Sequence, residues 1–595
     1  MENVEIARIL DELGDVLEIQ GENPFRVRAY RNAARTIRGH GTPFRKLVEE
    51  GADLTGLPGI GKEMAAHIRE LVETGKLGRH EEALRSIPPE LLEFIRIPGL
   101  GPKRAKQLWE ELGITTVSAL REACEQGRLS RLKGFGEKIQ KNILEGIESY
   151  RSQQGRFKLS DADQYVLPLK AYMEKAPGVE RIEVAGSYRR RKETVGDIDI
   201  LAVAREAGPV MEHFVAYPGV AKVQSAGDTR GTVFLGSGLQ VDLRILPRES
   251  FGAALAYFTG SKEHNIRIRR LAIDRGLRVS EYGVFRAGRG AKTAGGRGQK
   301  GGKDEADLGP SLGRFVAGRE ESEVYKAVGL PWIPPELRED RGEIEAAQQN
   351  ALPHLIELRD LRGDLQMHST WSDGQNTIEE MAVACKARNY EYLAITDHSK
   401  AVSVAGGLDA ERLRKQWKEI EKVAERHEGI RILKGMEIDI LSDGSLDLED
   451  ALLEKLDIVL VAVHSKFNLP PAQQTERILK ALQHPRVQIF GHPTGRILNR
   501  RGPIAFDMDE VLSCAAELGV AMELNAHPDR LDLMDLHLME ARRRGVKVVI
   551  NTDAHRVEDL DLIRYGVEQA RRGWLGREHV LNTLPLGEFL KALRR

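Results

Sequence analysis

Between residues 361 and 595, short apolar runs alternate with longer amphipathic stretches: YLAITDH, IRILKGMEID, DIVLVAVHS, VQIFGHPTG, VAMELNAH and VKVVINTDAH. Strands separated by helices cannot form hairpins and must pair in parallel, with both sheet faces covered. The alternation therefore predicts a parallel, barrel-like α/β domain. Five of the runs lead directly into a histidine or an acid, and in such barrels chemistry sits at the C-terminal ends of the strands. The residues delivered there are His398 in TDH, Glu437 in GMEID, His464 in AVHS, His492 in GHP, and Asp553 with His555 in TDAH. The segment GDLQMHSTWSDG adds His368 and Asp373. A single histidine beside a strand is usually structural. Eight potential ligands at successive strand ends point to a metal cluster, and histidine with carboxylate suits Zn2+, Mn2+ or Fe.

A second chemical signal lies in ETVGDIDILAV, residues 193–203, where a run that otherwise reads as a buried strand carries Asp197 and Asp199. Side chains alternate along a strand, so both carboxylates face one way, roughly 7 Å apart. Holding two divalent ions takes further oxygens, and QVDLRIL offers Asp242. The plain alternative for Asp242 is a buried ion pair with Arg244, which fits one acid better than three on two neighbouring strands. Just upstream, AGSYRRRKE joins a small-residue turn to an arginine cluster suited to a triphosphate.

Near the N-terminus LPGIGKEMAAHI (57–68) is echoed by IPGLGPKRAKQL (97–108) and more weakly by LKGFGEKIQKNI (132–143). Each copy reads as helix, hairpin, helix, with Gly59 and Gly61, Gly99 and Gly101, or Gly134 and Gly136 permitting a turn whose backbone amides open the next helix. Such a hairpin can hold a DNA phosphate without reading a base. Three copies make that a better account than a turn alone.

With a net charge of -1, the chain is not a globally basic nucleic-acid binder, and any DNA contact must be local. Residues 262–303 are such a region, with twelve Lys/Arg against three Asp/Glu. Cys124, Cys385 and Cys514 are widely spaced, which argues against a disulfide framework or a thiolate zinc site and fits a reducing cytoplasm. The acidic, amphipathic start lacks a signal-peptide pattern, and no apolar run is long enough to span a bilayer. A soluble protein with no membrane association is expected.

Taken together, the Gly-Ser turn, the arginine cluster, DID and the later VDL resemble the nucleotidyltransferase palm of the family X DNA polymerases. The segment AYFTGSKEHNIRIRRLAIDRGLRVSEYGV, from Ala256, resembles the same family, as do the hairpins and the thumb, so the likeness covers almost all of the first 345 residues. It implies in-line phosphoryl transfer with two Mg2+ or Mn2+ ions about 4 Å apart. Asp197 and Asp199 would bridge the ions, and Asp242 would complete one shell and accept the primer hydroxyl proton. Gly186, Ser187 and Arg190 would receive the triphosphate. Tyr257 and Phe258, with Gly260, would crowd a ribose 2'-hydroxyl, Asn265 would touch the nucleotide's minor-groove edge, and Arg269 would meet the template. The implied partners are gapped or primed double-stranded DNA and dNTPs, the implied process is gap filling in base excision or end repair, and the expected state is a monomer. Where some relatives carry a Schiff-base lysine, this sequence has His67, which cannot form the imine, so lyase activity by that route should be weak or absent. Arg31, Arg35 and Arg38 share a helical face that could grip a 5'-phosphate or simply be solvated.

The C-terminal ligand set resembles a PHP (polymerase and histidinol phosphatase) domain, which implies a manganese-dependent 3'-5' exonuclease or related phosphoesterase. That family's opening His-x-His has Gln366 in its first position here, a poorer ligand that would leave one metal position weak or differently occupied. A metal-stabilised scaffold is the competing account of this domain, and a gap-binding protein with weak polymerase activity is the competing account of the whole. The expected order is a helix-hairpin-helix domain at 1–85, a fingers-like one at 86–158 and a palm at 159–260. A thumb at 261–345 follows, with a flexible Gly/basic-rich insertion at 287–319, then a linker at 346–360 and the PHP domain at 361–595.

Overall fold

The computed structural model describes residues 1–595 except 2, 39–43, 58, 89, 96, 98–99, 133, 137–138, 145, 148–154, 287–312 and 594–595, with backbone alone at 4 and 38. Gly99 and most of the expected insertion thus lie outside the described residues. The chain divides into two compact units, one of Met1–Gln154, Ile356–Val567 and Arg577–Arg595, the other of Gly155–Leu355 and Glu568–Gly576.

The first unit begins with helices. Helix α1 (Asn3–Gln20) places Ile6, Leu10, Leu13 and Leu17 on one face at helical spacing, and all four are buried. Helix α2 (Pro24–Arg38) opens on a proline, whose fixed φ suits a first turn and whose missing N–H costs nothing there. Two of the expected hairpins lead into the helices Lys62–Thr74 and Pro102–Leu112, whose N-caps are Gly61 and Gly101 and lack a side-chain acceptor. Gly59 and Gly134 turn their hairpins at φ 73° and 89°, a region that favours glycine. The N-terminal helices join the barrel in this unit: Arg556 donates to the backbone oxygens of Thr36 (3.0 Å) and Arg35 (3.3 Å), and Arg500 pairs with Asp11 at 3.1 Å.

In the second unit, β1 (Phe157–Lys158) pairs with β3 (Thr194–Val195). A five-stranded sheet is built from β2 (Val179–Val184), β4 (Asp197–Ala204), β5 (Val220–Ala226), β6 (Arg230–Leu235) and β7 (Gln240–Leu246), in the order β2-β4-β7-β6-β5. Only β4 and β7 run parallel. A three-stranded sheet follows, of β8 (Leu277–Ser280), β9 (Gly283–Arg286) and β10 (Arg314–Ala317). Strand β10 corrects the expectation of an irregular stretch reaching residue 319, because Phe315 packs edge-on against Phe285 at 5.7 Å and the segment pairs with β9.

The C-terminal part of the first unit has seven parallel strands in sequence order: β11 (Gly363–Asp364), β12 (Tyr392–Ile395), β13 (Arg431–Asp439), β14 (Ile458–Ala462), β15 (Ile489–Phe490), β16 (Ala521–Asn525) and β17 (Val548–Asn551). The barrel nearly closes where Met367 bridges Ala554 in parallel and His368 N donates to Ala554 O at 2.8 Å. The return helices start where the sequence supplies caps: Thr377 with Glu380, Asp409, and Asp507. Leu433, Leu460, Ile489 and Val549 fill one core cluster, to which the terminal helix Leu586–Ala592 adds Phe589, stacked on Tyr392 at 4.7 Å.

Candidate metal centres

The parallel register of β4 and β7 sets Asp199 directly opposite Asp242, and strand alternation gives Asp197 the same face. Asp242 is oriented by two donors, Thr232 Oγ1 to Oδ1 at 2.5 Å and Gln240 Nε2 to Oδ2 at 2.8 Å. Arg244 does not pair with it; its guanidinium lies over the Phe258 ring at 4.4 Å. After β2 the chain turns at Gly186, whose φ is +66° and where an added Cβ would stand 2.7 Å from Asp199 Oδ2. Only glycine lets that turn come so near the acid. Burial, and then the charges of Asp197 and Asp242, push Asp199 up to about 7 against the pull of Arg244 and Arg190. Like charges held together on a partly buried face favour a divalent cation between them.

The short helix Gly186–Arg189 carries a half-buried Ser187. Arg189 is tied to Glu321 at 2.8 Å and to Thr259 Oγ1 at 2.7 Å. Arg190, the expected triphosphate grip, donates to Glu339 Oε1 (3.0 Å) and to the backbone oxygens of Thr259 (2.8 Å) and Gly260 (3.3 Å). Arg572 of the same unit donates to Glu339 Oε1 at 3.0 Å and to Arg190 O at 2.7 Å. The remaining expected nucleotide contacts form one patch. Tyr257 and Phe258 meet edge to face at 5.1 Å, and Asn265 Nδ2 donates to Tyr257 O at 2.6 Å. Arg269 lies over the Tyr257 ring at 5.4 Å, and a Cβ on Gly260 would fall 2.7 Å from Asn265 Oδ1.

At the barrel's strand ends, all eight expected ligands converge around Glu437, which is fully buried. Its Oε1 faces His464 Nε2 (3.1 Å) and His492 Nε2 (2.8 Å), and its Oε2 faces His398 Nδ1 (3.1 Å) and His368 Nε2 (3.4 Å). Each carboxylate oxygen thus faces two imidazoles, a donor set that would suit divalent cations. Asp373 reaches His555 at 3.3 Å, His398 at 3.7 Å and His368 at 3.8 Å, and Asp553 meets His368 Nε2 at 3.1 Å. Three groups have ligand atoms all within 4.8 Å of one another: His368, Asp373, His398 and His555; His398, Glu437 and His464; and His368, Glu437 and Asp553. Burial alone would raise Glu437, but its electrostatic interactions with the His398 and His464 rings and the bonds from His464 and His492 hold it well below the usual carboxylate range. Asp553 and His492 have φ of 55° and 26°, strained values for non-glycine residues that the surrounding fold must enforce.

The donor set fits divalent ions. His368 Nδ1, His492 Nδ1 and Glu437 Oε2 are buried without a hydrogen-bond partner. His398 Nδ1 and Glu437 Oε2 lie 3.1 Å apart, yet neither makes a hydrogen bond, as lone pairs gathered for a cation would. Gln366 is buried beside the same cluster, its Nε2 3.5 Å from Asp553 Oδ1 and its Oε1 without a hydrogen-bond partner among the described residues.

Several residues of these sites escaped the sequence reading. Asp439 stands 3.4 Å from His464 Nδ1 and accepts from His464 N at 2.9 Å. Asp397 accepts from Ser369 N, Ser369 Oγ and Gln416 Nε2, bracing the loop that carries His368. Glu523 accepts from His492 N at 2.7 Å and is pushed well above the usual carboxylate range by burial. Asp397 and Asp439 sat inside the quoted motifs TDH and GMEID, where spacing could have drawn notice; Glu339 carried no local signal. Among the expected DNA contacts, Arg31 is paired with Asp15 (2.9 Å) and Glu18 (2.6 Å), whereas Arg35 is exposed. His67 stacks on Tyr30 at 5.9 Å, and burial lowers its pKa.

Comparison with known proteins bears on both centres. Family models match a Helix-hairpin-helix domain at 1–77, a SAM-like Helix-hairpin-helix tandem at 91–149, a DNA polymerase beta thumb at 254–339 and a PHP domain at 364–527. The chain is 39% identical over 597 residues, covering 100% of both chains, to the DNA polymerase/3'-5' exonuclease PolX of Bacillus subtilis (strain 168). It is 25% identical over 369 residues to DNA polymerase lambda of Rattus norvegicus, covering 57% of this chain and 56% of that one. A probable phosphatase of Thermoanaerobacter sp. (strain X514) is 29% identical over 234 residues, covering 37% of this chain and 90% of that one.

Proposed function

This chain belongs to the family X DNA polymerases that carry a PHP domain, and on that premise we propose that it is a gap-filling DNA polymerase with a 3'-5' exonuclease. The observation that carries the polymerase reading is the β4–β7 register, which seats Asp199 opposite Asp242 with its pKa raised to about 7. Asp197, Asp199 and Asp242 would hold Mg2+ or Mn2+, which supplies charge neutralisation to the reacting phosphates when bound. Asp242, oriented by Thr232 and Gln240, would take the proton of the primer 3'-hydroxyl. Ser187 and Arg190 would receive the triphosphate, Arg190 exchanging Glu339 for phosphate oxygens. Tyr257 and Phe258 would wall off the sugar, with Asn265 and Arg269 beside them. The glycine hairpins would hold DNA phosphates at the uncapped helix starts.

At the barrel, His368, Asp373, His398, Glu437, His464, His492, Asp553 and His555 would hold Mn2+ or Zn2+ for phosphodiester hydrolysis. Repair of short gaps by a monomer in the cytoplasm fits this set of activities, and no described helix is long and apolar enough to cross a membrane. The test is to incubate the protein with one-nucleotide-gapped DNA labelled on the primer, with Mg2+ or Mn2+, with and without dNTPs. Extension with dNTPs and shortening without them are expected; an inert protein would leave only a gap-binding scaffold.

A further inference from the structure

The barrel's metal ligands account for its histidines and carboxylates but not for the cation beside them. Arg530 follows β16 on the loop NAHPDR. Among the described residues its guanidinium has one charged partner, Asp553 (Nε to Oδ2, 3.6 Å), and no hydrogen-bond acceptor. Asp553 is already engaged by His368 Nε2 and by Asn525 Nδ2, each at 3.1 Å. Arg530 is nonetheless largely enclosed, with 22% of its side chain exposed. A guanidinium offers five donors in a fixed fork, and leaving it enclosed without acceptors is costly unless an anion completes it.

The loop fixes its position. Arg496 Nε donates to Arg530 O at 2.9 Å, Leu498 N to Asp529 O at 2.6 Å, and Asp529 N to His527 Nδ1 at 3.2 Å. A second guanidinium is near enough to feel its charge. Arg501 is held by Gly495 O (2.7 and 3.1 Å) over the Phe467 ring (4.3 Å), and burial followed by the like charge of Arg530 lowers its pKa. An unfilled guanidinium fork beside a carboxylate-and-histidine cluster is complementary to phosphate.

We propose that Arg530, with Arg501 nearby, is the anion seat of the barrel site and takes the phosphodiester at the DNA 3' end while the clustered ligands hold the metal. Asp553 then faces the ions and Arg530 exchanges it for the phosphate. This rests on the exonuclease reading for its substrate, but the seat can be probed without nuclease activity. The Mn2+-loaded full-length protein is titrated with inorganic phosphate by calorimetry, in wild type, Arg530→Gln and Arg530→Lys, with bound metal measured by elemental analysis and folding by thermal melting.

Loss of a charge-assisted hydrogen bond should weaken phosphate binding about 10- to 100-fold in Arg530→Gln, with Arg530→Lys between it and wild type and metal content unchanged. In DNA shortening, the same variants should raise KM more than they lower kcat. Unchanged phosphate affinity in Arg530→Gln, or no phosphate binding by wild type, would overturn the proposal. So would joint loss of metal and phosphate, which would make Arg530 a brace for Asp553. If wild type binds phosphate through Arg530 yet leaves DNA intact, the anion seat stands and the exonuclease reading fails.

Discussion

The two metal centres are built in opposite ways. In the palm, two adjacent strands set three acids on one face: Asp197 is exposed, and Asp199 and Asp242 are half-buried. In the barrel, six of the seven strands bring eight ligands around a carboxylate with no exposed surface, and Met367 bridges Ala554 across the nearly closed ring. In the palm, burial first and then the neighbouring acids push Asp199 up; in the barrel, imidazoles hold Glu437 down in spite of its burial. The open site is repulsive until cations and substrate arrive, whereas the closed one is partly neutralised by its own histidines. An open acid face suits a substrate that brings metal with it, and an enclosed mixed cluster suits a resident metal.

Asp199→Asn should break this contrast most sharply. It removes a charge that the transition state needs, and gap filling should fall by about 1,000-fold or more while DNA shortening persists in the same preparation. If both activities fell together, the two centres would not be separable. Glu437→Gln is the converse: with the bridging charge gone, DNA shortening should drop by about 100-fold or more and tightly bound metal should disappear from elemental analysis, with gap filling retained. Asp439→Asn, which leaves every ligand in place but loosens His464, should weaken metal retention by about 10- to 100-fold in a chelator competition.

The smallest effect is electrostatic. Asp199 must be ionised to hold a cation, and with its pKa near 7 a proton competes as pH falls through that value. Mg2+ affinity at the palm should therefore decline from pH 8 to 6, with proton release on binding, as calorimetry in buffers of different ionisation heat would read. Stability of the metal-free fold runs the opposite way. A carboxylate whose folded pKa lies above its unfolded value of 3.8 penalises the metal-free fold increasingly as pH rises from about 4 to about 7, and Mg2+ should relieve that penalty. A flat Mg2+ affinity across this window would show that the acids are farther apart electrostatically than the register implies.

Much of both centres was readable in the chain. The run DIDILAV and the later VDL supplied the palm acids because strand alternation is a local rule, and the barrel ligands were visible because each follows an apolar run. Strand β10 was missed because Phe315 finds its partner across a long basic stretch. The clasp of Glu339 on Arg190, 149 positions apart, has no local signature. Nor does the meeting of Arg556 with the end of α2, 520 positions away, which ties the residue after ligand His555 to the N-terminal helices.

By itself the sequence determined which residues could bear charge or ligate, which faces of strands and helices they occupy, and the family to which they belong, since all of these depend on spacing along the chain. Tertiary structure alone decided how Glu437 divides its oxygens between two pairs of histidines, which carboxylate restrains Arg190, and where Arg530 is left with an unfilled fork. The reason is physical. Electrostatic and hydrogen-bond energies depend on distances through space and on exclusion of water, and neither exists until strands far apart in the chain have closed on one another.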